Sequence, residues 1–170
     1  EAAEMIRRAH EIDPLSGVIG VNVAATFLIR KEYEAMAASA LKVVELDPNY
    51  PGGYNSLGTA YLKLGRSTDA IANFEKGVAL SNRSYANLAG LGYAYAVFGE
   101  RAKAVAIVKE LEERYEKKEA GPGSIAAVYA GLGEKDKALE WLDRAFQDRN
   151  GELAGIRYGI PFETLREDPR

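Results

Sequence analysis

A single period organises this chain. Gly58, Gly92 and Ala126 stand 34 residues apart, with Ala24 one period earlier. The same step relates Phe27, Tyr61, Tyr95 and Tyr129, then Gly65, Gly99 and Gly133, then Ala70, Ala104 and Ala138. A constant period in both small and aromatic positions means one supersecondary unit stacked on copies of itself. Where 170 residues would otherwise suggest one or two globular domains, the period replaces them with one continuous array. Arrays of this kind usually work by presenting a surface rather than by doing chemistry.

The cleanest unit covers residues 51–84. Tyr54, Leu57, Gly58 and Tyr61 follow the helical spacing of three and four, as do Ala70, Phe74, Gly77 and Val78. Gly65 falls between the two runs, where a helix ends on a left-handed residue. The unit is therefore a helix–turn–helix hairpin that cannot bury its apolar face alone. Small residues at 58, 92, 126, 70, 104 and 138 let two helices cross closely, and Tyr61, Tyr95 and Phe74 fill the space beside them. Asp13-Pro14 and Asp47-Pro48 stop one helix and start the turn to the next. The spacing predicts helices over 2–12, 17–29, 32–46, 52–64, 67–80, 85–98, 101–118, 122–132 and 135–148. The charged stretch 112–119 reads as a solvated helix end with Glu113 pairing to Lys117.

These residues resemble the tetratricopeptide repeat family. Its pattern of an aromatic, Leu-Gly, Tyr, a turn Gly, Ala and a second aromatic is matched by Tyr54, Leu57, Gly58, Tyr61, Gly65, Ala70 and Phe74. Gly77 stands where the family has Ala, and Asn82 where it has a closing Pro. The frame divides the chain into the second helix of a truncated repeat (1–16), repeats at 17–50, 51–84, 85–118 and 119–152, and a capping segment (153–170). The resemblance implies an all-α, right-handed superhelical solenoid of antiparallel helix hairpins. Because residue 1 falls inside a repeat, the chain reads as an excerpt of a longer protein. Met5, Ile6 and Ala9 would then lack a partner helix, and that end is expected either to contact another molecule, a second copy of the chain being one candidate, or to be loosely held. At the other end, Phe162 and Leu165 are expected to cover the last hairpin near Leu139, Trp141 and Phe146.

Composition narrows the chemistry. The apolar fraction is 47%, the charged fraction 28% and the net charge −3, with both signs spread along the chain. That is globular, and the lack of a basic block argues against nucleic acid as a direct partner. No apolar run approaches a membrane span. Without cysteine there is neither a disulfide framework nor a thiolate metal site, and a cytoplasmic setting is compatible. His10 is the single histidine; the usual zinc ligand sets cannot form, and a structural role is expected for it. Ser16 reads as a helix N-cap rather than a nucleophile. Gly90-Leu91-Gly92 and Gly131-Leu132-Gly133 are set by the repeat frame, and no Walker string occurs. No catalytic residue, metal or cofactor is expected. Trp141 is either a binding anchor or a packing residue against the segment after the last hairpin.

In the family it resembles, the first helix of each hairpin lines the concave surface. Carried onto this sequence, that face holds Val21, Asn22, Ala25, Leu28 and Ile29, then Asn55, Thr59, Leu62 and Lys63, then Ala89, Tyr93 and Ala96. Some relatives clamp a chaperone peptide's terminal carboxylate there with Lys, Asn and Arg. This chain has Val21, Ala25, Ala86 and Gly90 at those positions, so the clamp does not carry over. The implied groove is small and apolar with one polar stripe of Asn55, Thr59 and Lys63, suited to a protein or peptide segment. Filling of the groove by the chain itself remains open. The alternative reading comes from KALEWLDRAF followed by IPFETLREDPR. This resembles the closing segment of repeat arrays in bacterial winged-helix regulators, nucleotide cyclases and Ser/Thr kinases. There the array would be a regulatory or sensory region acting on its own upstream domain.

Overall fold

The computed structural model describes residues 16–148 and 160–165, with Met5, Asp13 and Asp168 as single positions. The helix expected over 2–12, the association expected through it and the role of His10 lie outside the described residues. Among the described residues the α-helices with defined bounds are α1 Gly17–Ile29, α2 Tyr33–Leu46, α3 Pro51–Lys63, α4 Ser67–Leu80, α5 Tyr85–Val97, α6 Arg101–Glu116, α7 Pro122–Gly131 and α8 Lys135–Gln147. A 3-10 helix, Ile160–Leu165, comes after them. No strand is found among the described residues, and none of the helices is long and apolar enough to cross a membrane. This is the all-α, hairpin-repeat class that the spacing requires.

The chain forms two compact units, Glu1–Arg83 and Ser84–Arg170. In the first, α1 pairs with α2 and α3 with α4, while α3 also packs on α1 and α2. Its core holds Ala24, Met36, Ala40, Leu57 and Ala60, with Phe27, Leu28 and Tyr61 against them. In the second, α5 pairs with α6 and α7 with α8; α7 packs on α5 and α6, and the 3-10 helix packs on α7. Leu88, Leu111, Ile125 and Val128 are fully buried there.

Each hairpin turns in the same way. A residue with positive φ follows the first helix: Lys31 at 60°, Gly65 at 72°, Gly99 at 84° and Gly133 at 76°. The next amide then reaches back five residues, from Glu32 to Phe27, Arg66 to Tyr61, Glu100 to Tyr95 and Glu134 to Tyr129, at 2.8–3.0 Å. That is the Schellman closure, which satisfies the last carbonyls of the helix. The acceptor is the periodic aromatic in all four cases, so the aromatic and the turn residue belong to one motif. In the first hairpin the position is Lys31, a side chain that strains there. The same closure ends α4 through Asn82 and α6 through Lys118, with φ of 50° and 60°, and amide bonds Arg83 to Val78 and Glu119 to Arg114. It takes over the stop that Asp-Pro supplies after α2. α6 therefore ends at Glu116 rather than running to 118. Lys117 leaves the helix, and the ion pair formed is Glu110–Arg114 at 2.7 Å instead of Glu113–Lys117.

The cap expected from Phe162 and Leu165 is corrected in its target. Both side chains are buried, but their 3-10 helix packs on α7, the first helix of the last hairpin. Phe146 on α8 stays 74% exposed. α7 is uncharged and offers small residues such as Gly123, Ala127 and Ala130, whereas α8 carries Lys135, Asp136, Lys137, Glu140, Asp143 and Arg144. An apolar segment gains more against the first. Trp141 packs with Tyr115, ring centroids 5.0 Å apart and edge to face, and under Arg144.

Two glycines should respond in opposite senses to alanine. A Cβ on Gly92 would lie 2.9 Å from Ile107 Cγ2 and Val128 Cγ2, so Gly92→Ala should destabilise by about 1–3 kcal/mol through overpacking. A Cβ on Gly77 would meet nothing closer than 3.4 Å, so Gly77→Ala should stabilise by about 0.5–1 kcal/mol. Lys31→Gly, by relieving the turn, should not lower stability, unlike an ordinary exposed helix-to-glycine change. Urea midpoints of the three variants check the order.

Candidate functional site

The residues expected to line a binding face divide between the two units. In the first unit α1 is an uncharged helix, GVIGVNVAATFLI. Asn22 and Ala25 are exposed and Val21 is half-buried. Ile29 is 67% exposed, and Val18 on the same helix 58%. An apolar helix so open on one side is unusual, since a helix without charge is normally covered all round. Leu28 does not belong to this open surface; it packs against the core. Leu62 on α3 is likewise a core residue. The sequence frame sorted both by position, and a one-residue difference in rotation about the helix decides the outcome.

The polar stripe on α3 is largely occupied by its own surroundings. Thr59 donates its hydroxyl to the Asn55 carbonyl one turn back, at 2.8 Å. The Lys63 ammonium lies 5.6 Å from the centre of the Tyr33 ring. The Asn55 Oδ1 is buried with no hydrogen-bond partner. A buried acceptor left unmet costs about 1–3 kcal/mol, so this atom is the one polar feature of the stripe that the described residues leave unsatisfied.

In the second unit Ala89 is buried, while Tyr93 and Ala96 are half-buried. Tyr93 and Ala96 both crowd Gly131 of α7: a Cβ there would fall 2.7 Å from the Tyr93 ring and 3.0 Å from the Ala96 methyl. They are helix-packing residues as much as surface ones. The segment Ile160–Leu165 brings Glu163 near Tyr93. Burial first, and the Glu163 carboxylate second, push the Tyr93 phenol above its ordinary value. Every residue of α7 from Pro122 to Ala130 is buried.

Two hollows lie away from the expected face. One, of about 350 Å³, sits between α1 and α2 and is lined by Gly20, Val23, Phe27, Ala38, Ser39 and Val43 among others. The small residues Gly20, Ala38 and Ser39 were the available signal, but the 34-residue frame treats them as spacers. The other, of about 490 Å³, lies between α6 and α8, with Glu112, Glu116, Glu140, Trp141 and Arg144 around it. At its edge Tyr129 donates to Glu112 at 2.7 Å. Burial, that hydrogen bond and the negative charges of Glu112 and Glu134 raise the Tyr129 phenol well above its ordinary 10.0. No group of three or more His, Cys, Asp or Glu placed to hold a metal occurs among the described residues.

The Tyr129 shift has a sign that can be tested. With its folded value raised, the phenol favours the folded state fully below pH 10.0, and that contribution is lost as pH climbs above it. Tyr129→Phe should therefore flatten the alkaline fall in stability between about pH 9 and 12, measured as urea midpoints against the parent. Identical slopes would show that Tyr129 ionises as in the unfolded chain.

Comparison with known proteins agrees with the geometry. A profile of the family described as Tetratricopeptide repeat matches residues 39–72. Over 91 residues, 54% of this chain, the sequence is 37% identical to the Hsp70-Hsp90 organizing protein of Triticum aestivum. Over 90 residues it is 30% identical to Tetratricopeptide repeat protein 28 of Mus musculus. The chain spans only 16% of the wheat protein and 4% of the mouse protein. Among solved structures, a thermophilic TPR protein of Thermus thermophilus superposes with a TM-score of 0.70 at 24% identity, covering 94% of this chain and 88% of that one. YrrB, described as a TPR protein with an unusual peptide-binding site, gives 0.59 at 22% identity, covering 98% and 87%.

Proposed function

We propose that this chain, which is similar to tetratricopeptide repeat proteins, is a protein-interaction scaffold which captures a partner segment on the faces of its first helices. Proteins of this fold are generally non-enzymatic scaffolds. The observation that carries the reading is the contrast between two uncharged first helices. α7 is covered on all sides, whereas α1 leaves Val18 and Ile29 more than half exposed beside Asn22 and Ala25. Exposed apolar surface of that kind, with polar groups at its edge, suits a partner. Binding there removes apolar area from water.

The residues assigned to capture are Val21, Asn22, Ala25 and Ile29 on α1, with Asn55, Thr59 and Lys63 of α3 for register. Leu28 and Leu62 support the face from beneath. Ala89, Tyr93 and Ala96 are the corresponding positions of the second unit, where Ala89 is buried and the other two pack on Gly131. A carboxylate clamp is not part of the proposal, despite the likeness to an Hsp70-Hsp90 organizing protein, because Val21, Ala25, Ala86 and Gly90 offer no cation or amide at the clamp positions. The partner is instead held by apolar side chains.

A peptide array probed with the purified chain, and again with Ala25→Arg or Ile29→Asp, tests this. Both positions are exposed, so the helical melt should be unchanged while array signal drops about tenfold or more, the loss expected for a central interface contact. Binding indifferent to both substitutions would move the site elsewhere. An array without any bound peptide would refute the reading.

A further inference from the structure

In the second unit a first helix is covered by a segment of the same chain. α7 carries no charged residue, and the 3-10 helix Ile160–Leu165 packs on it. Phe162 and Leu165, three residues apart and so on one side of a 3-10 turn, are buried at 8% and 7% exposure. Ile160 and Pro161 are half-buried and Glu163 is exposed. A helix of six residues does not hold its shape unaided in water; its order comes from the surface beneath it. The two buried side chains are therefore the anchors, and Pro161, which fixes the backbone at the first turn, lowers the cost of presenting them.

We propose that Ile160–Leu165 is a resident ligand of the α7 face, and that this face takes external protein segments of the same chemistry: a proline-led turn with Phe and Leu three residues apart. This deepens the scaffold reading and rests on it. The tethered segment competes at high effective concentration, so the second unit binds partners of this kind only weakly until its own segment lifts. Such short elements, anchored by few side chains, belong to the readily opened part of a fold.

The test uses a fluorescently labelled peptide, YGIPFETLRED, added to the full chain and to the full chain with Phe162→Ala and Leu165→Ala together. The substituted chain should bind the peptide about tenfold or more tightly than the parent, because the tethered competitor is gone. A peptide with both anchors changed to alanine should bind neither. No binding to the substituted chain, with its helical circular dichroism intact, overturns the proposal, as does equal binding to both chains. If the double substitution costs helical signal, hydrogen exchange of the parent decides. Saturating peptide should deprotect the amides of 162–165 while α7 stays protected; unchanged protection at 162–165 overturns the proposal. Array peptides sensitive to Ala25→Arg, alongside failure of this peptide, would remove this inference and leave the scaffold reading standing.

Discussion

One left-handed residue after each first helix governs the geometry of every hairpin here. It reverses the chain within two residues and lets the following amide close on the carbonyl of the periodic aromatic, Phe27, Tyr61, Tyr95 or Tyr129. That closure fixes where the second helix starts and therefore which of its residues faces the first. The close approach follows. Gly58 lies under the Phe74 ring, with 2.9 Å available to a Cβ, and Gly92 lies against Ile107. Were the turn longer or looser, the large and small partners would fall out of register and the core of each unit would have voids.

The same motif organises the charges. At the start of the second helix an ion pair joins Arg66 to Asp69 at 2.7 Å, Glu100 to Lys103 at 3.5 Å and Glu134 to Lys137 at 2.6 Å. The sign is reversed in the first of these, yet in every case the cation lies over the ring of the periodic tyrosine: Arg66 on Tyr61, Lys103 on Tyr95 and Lys137 on Tyr129. Geometry, rather than the identity of each position, is preserved. Exposed pairs of this sort contribute little individually, but their cations pack on the tyrosine rings. In the last hairpin Arg101 adds a bond to Glu134 at 2.6 Å. Together with Lys137, whose hydrogen bond is the larger influence, it holds the Glu134 carboxyl below its usual range.

The proposed binding faces lie where this regular packing stops. First helices are apolar on more than one side because an array normally covers them with neighbours. α7 meets that need with a segment of its own chain, and α1 leaves part of it open among the described residues. The two units thus present the same kind of helix in two states, one occupied and one exposed, and the occupied state displays the side chains that such a face accepts.

The helix spans, the turn glycines, the small residues at the crossings and the family likeness were legible in the sequence, because a 34-residue period repeats each local rule four times. Local rules also explain Ser16, whose side chain caps α1 through the Ile19 amide. Other features were not written in any local pattern. Lys31, Asn82 and Lys118 in left-handed turns depend on hydrogen bonds that override residue preference. Whether Leu28 and Leu62 face the groove or the core depends on helix rotation, which packing fixes. Which helix Phe162 and Leu165 return to was decided by the contrast between an uncharged α7 and a charged α8, two surfaces that meet the segment only in three dimensions. Sequence specified the repeating unit, whose interactions are short in range; tertiary structure decided which faces remain open, because that depends on contacts between residues far apart in the chain.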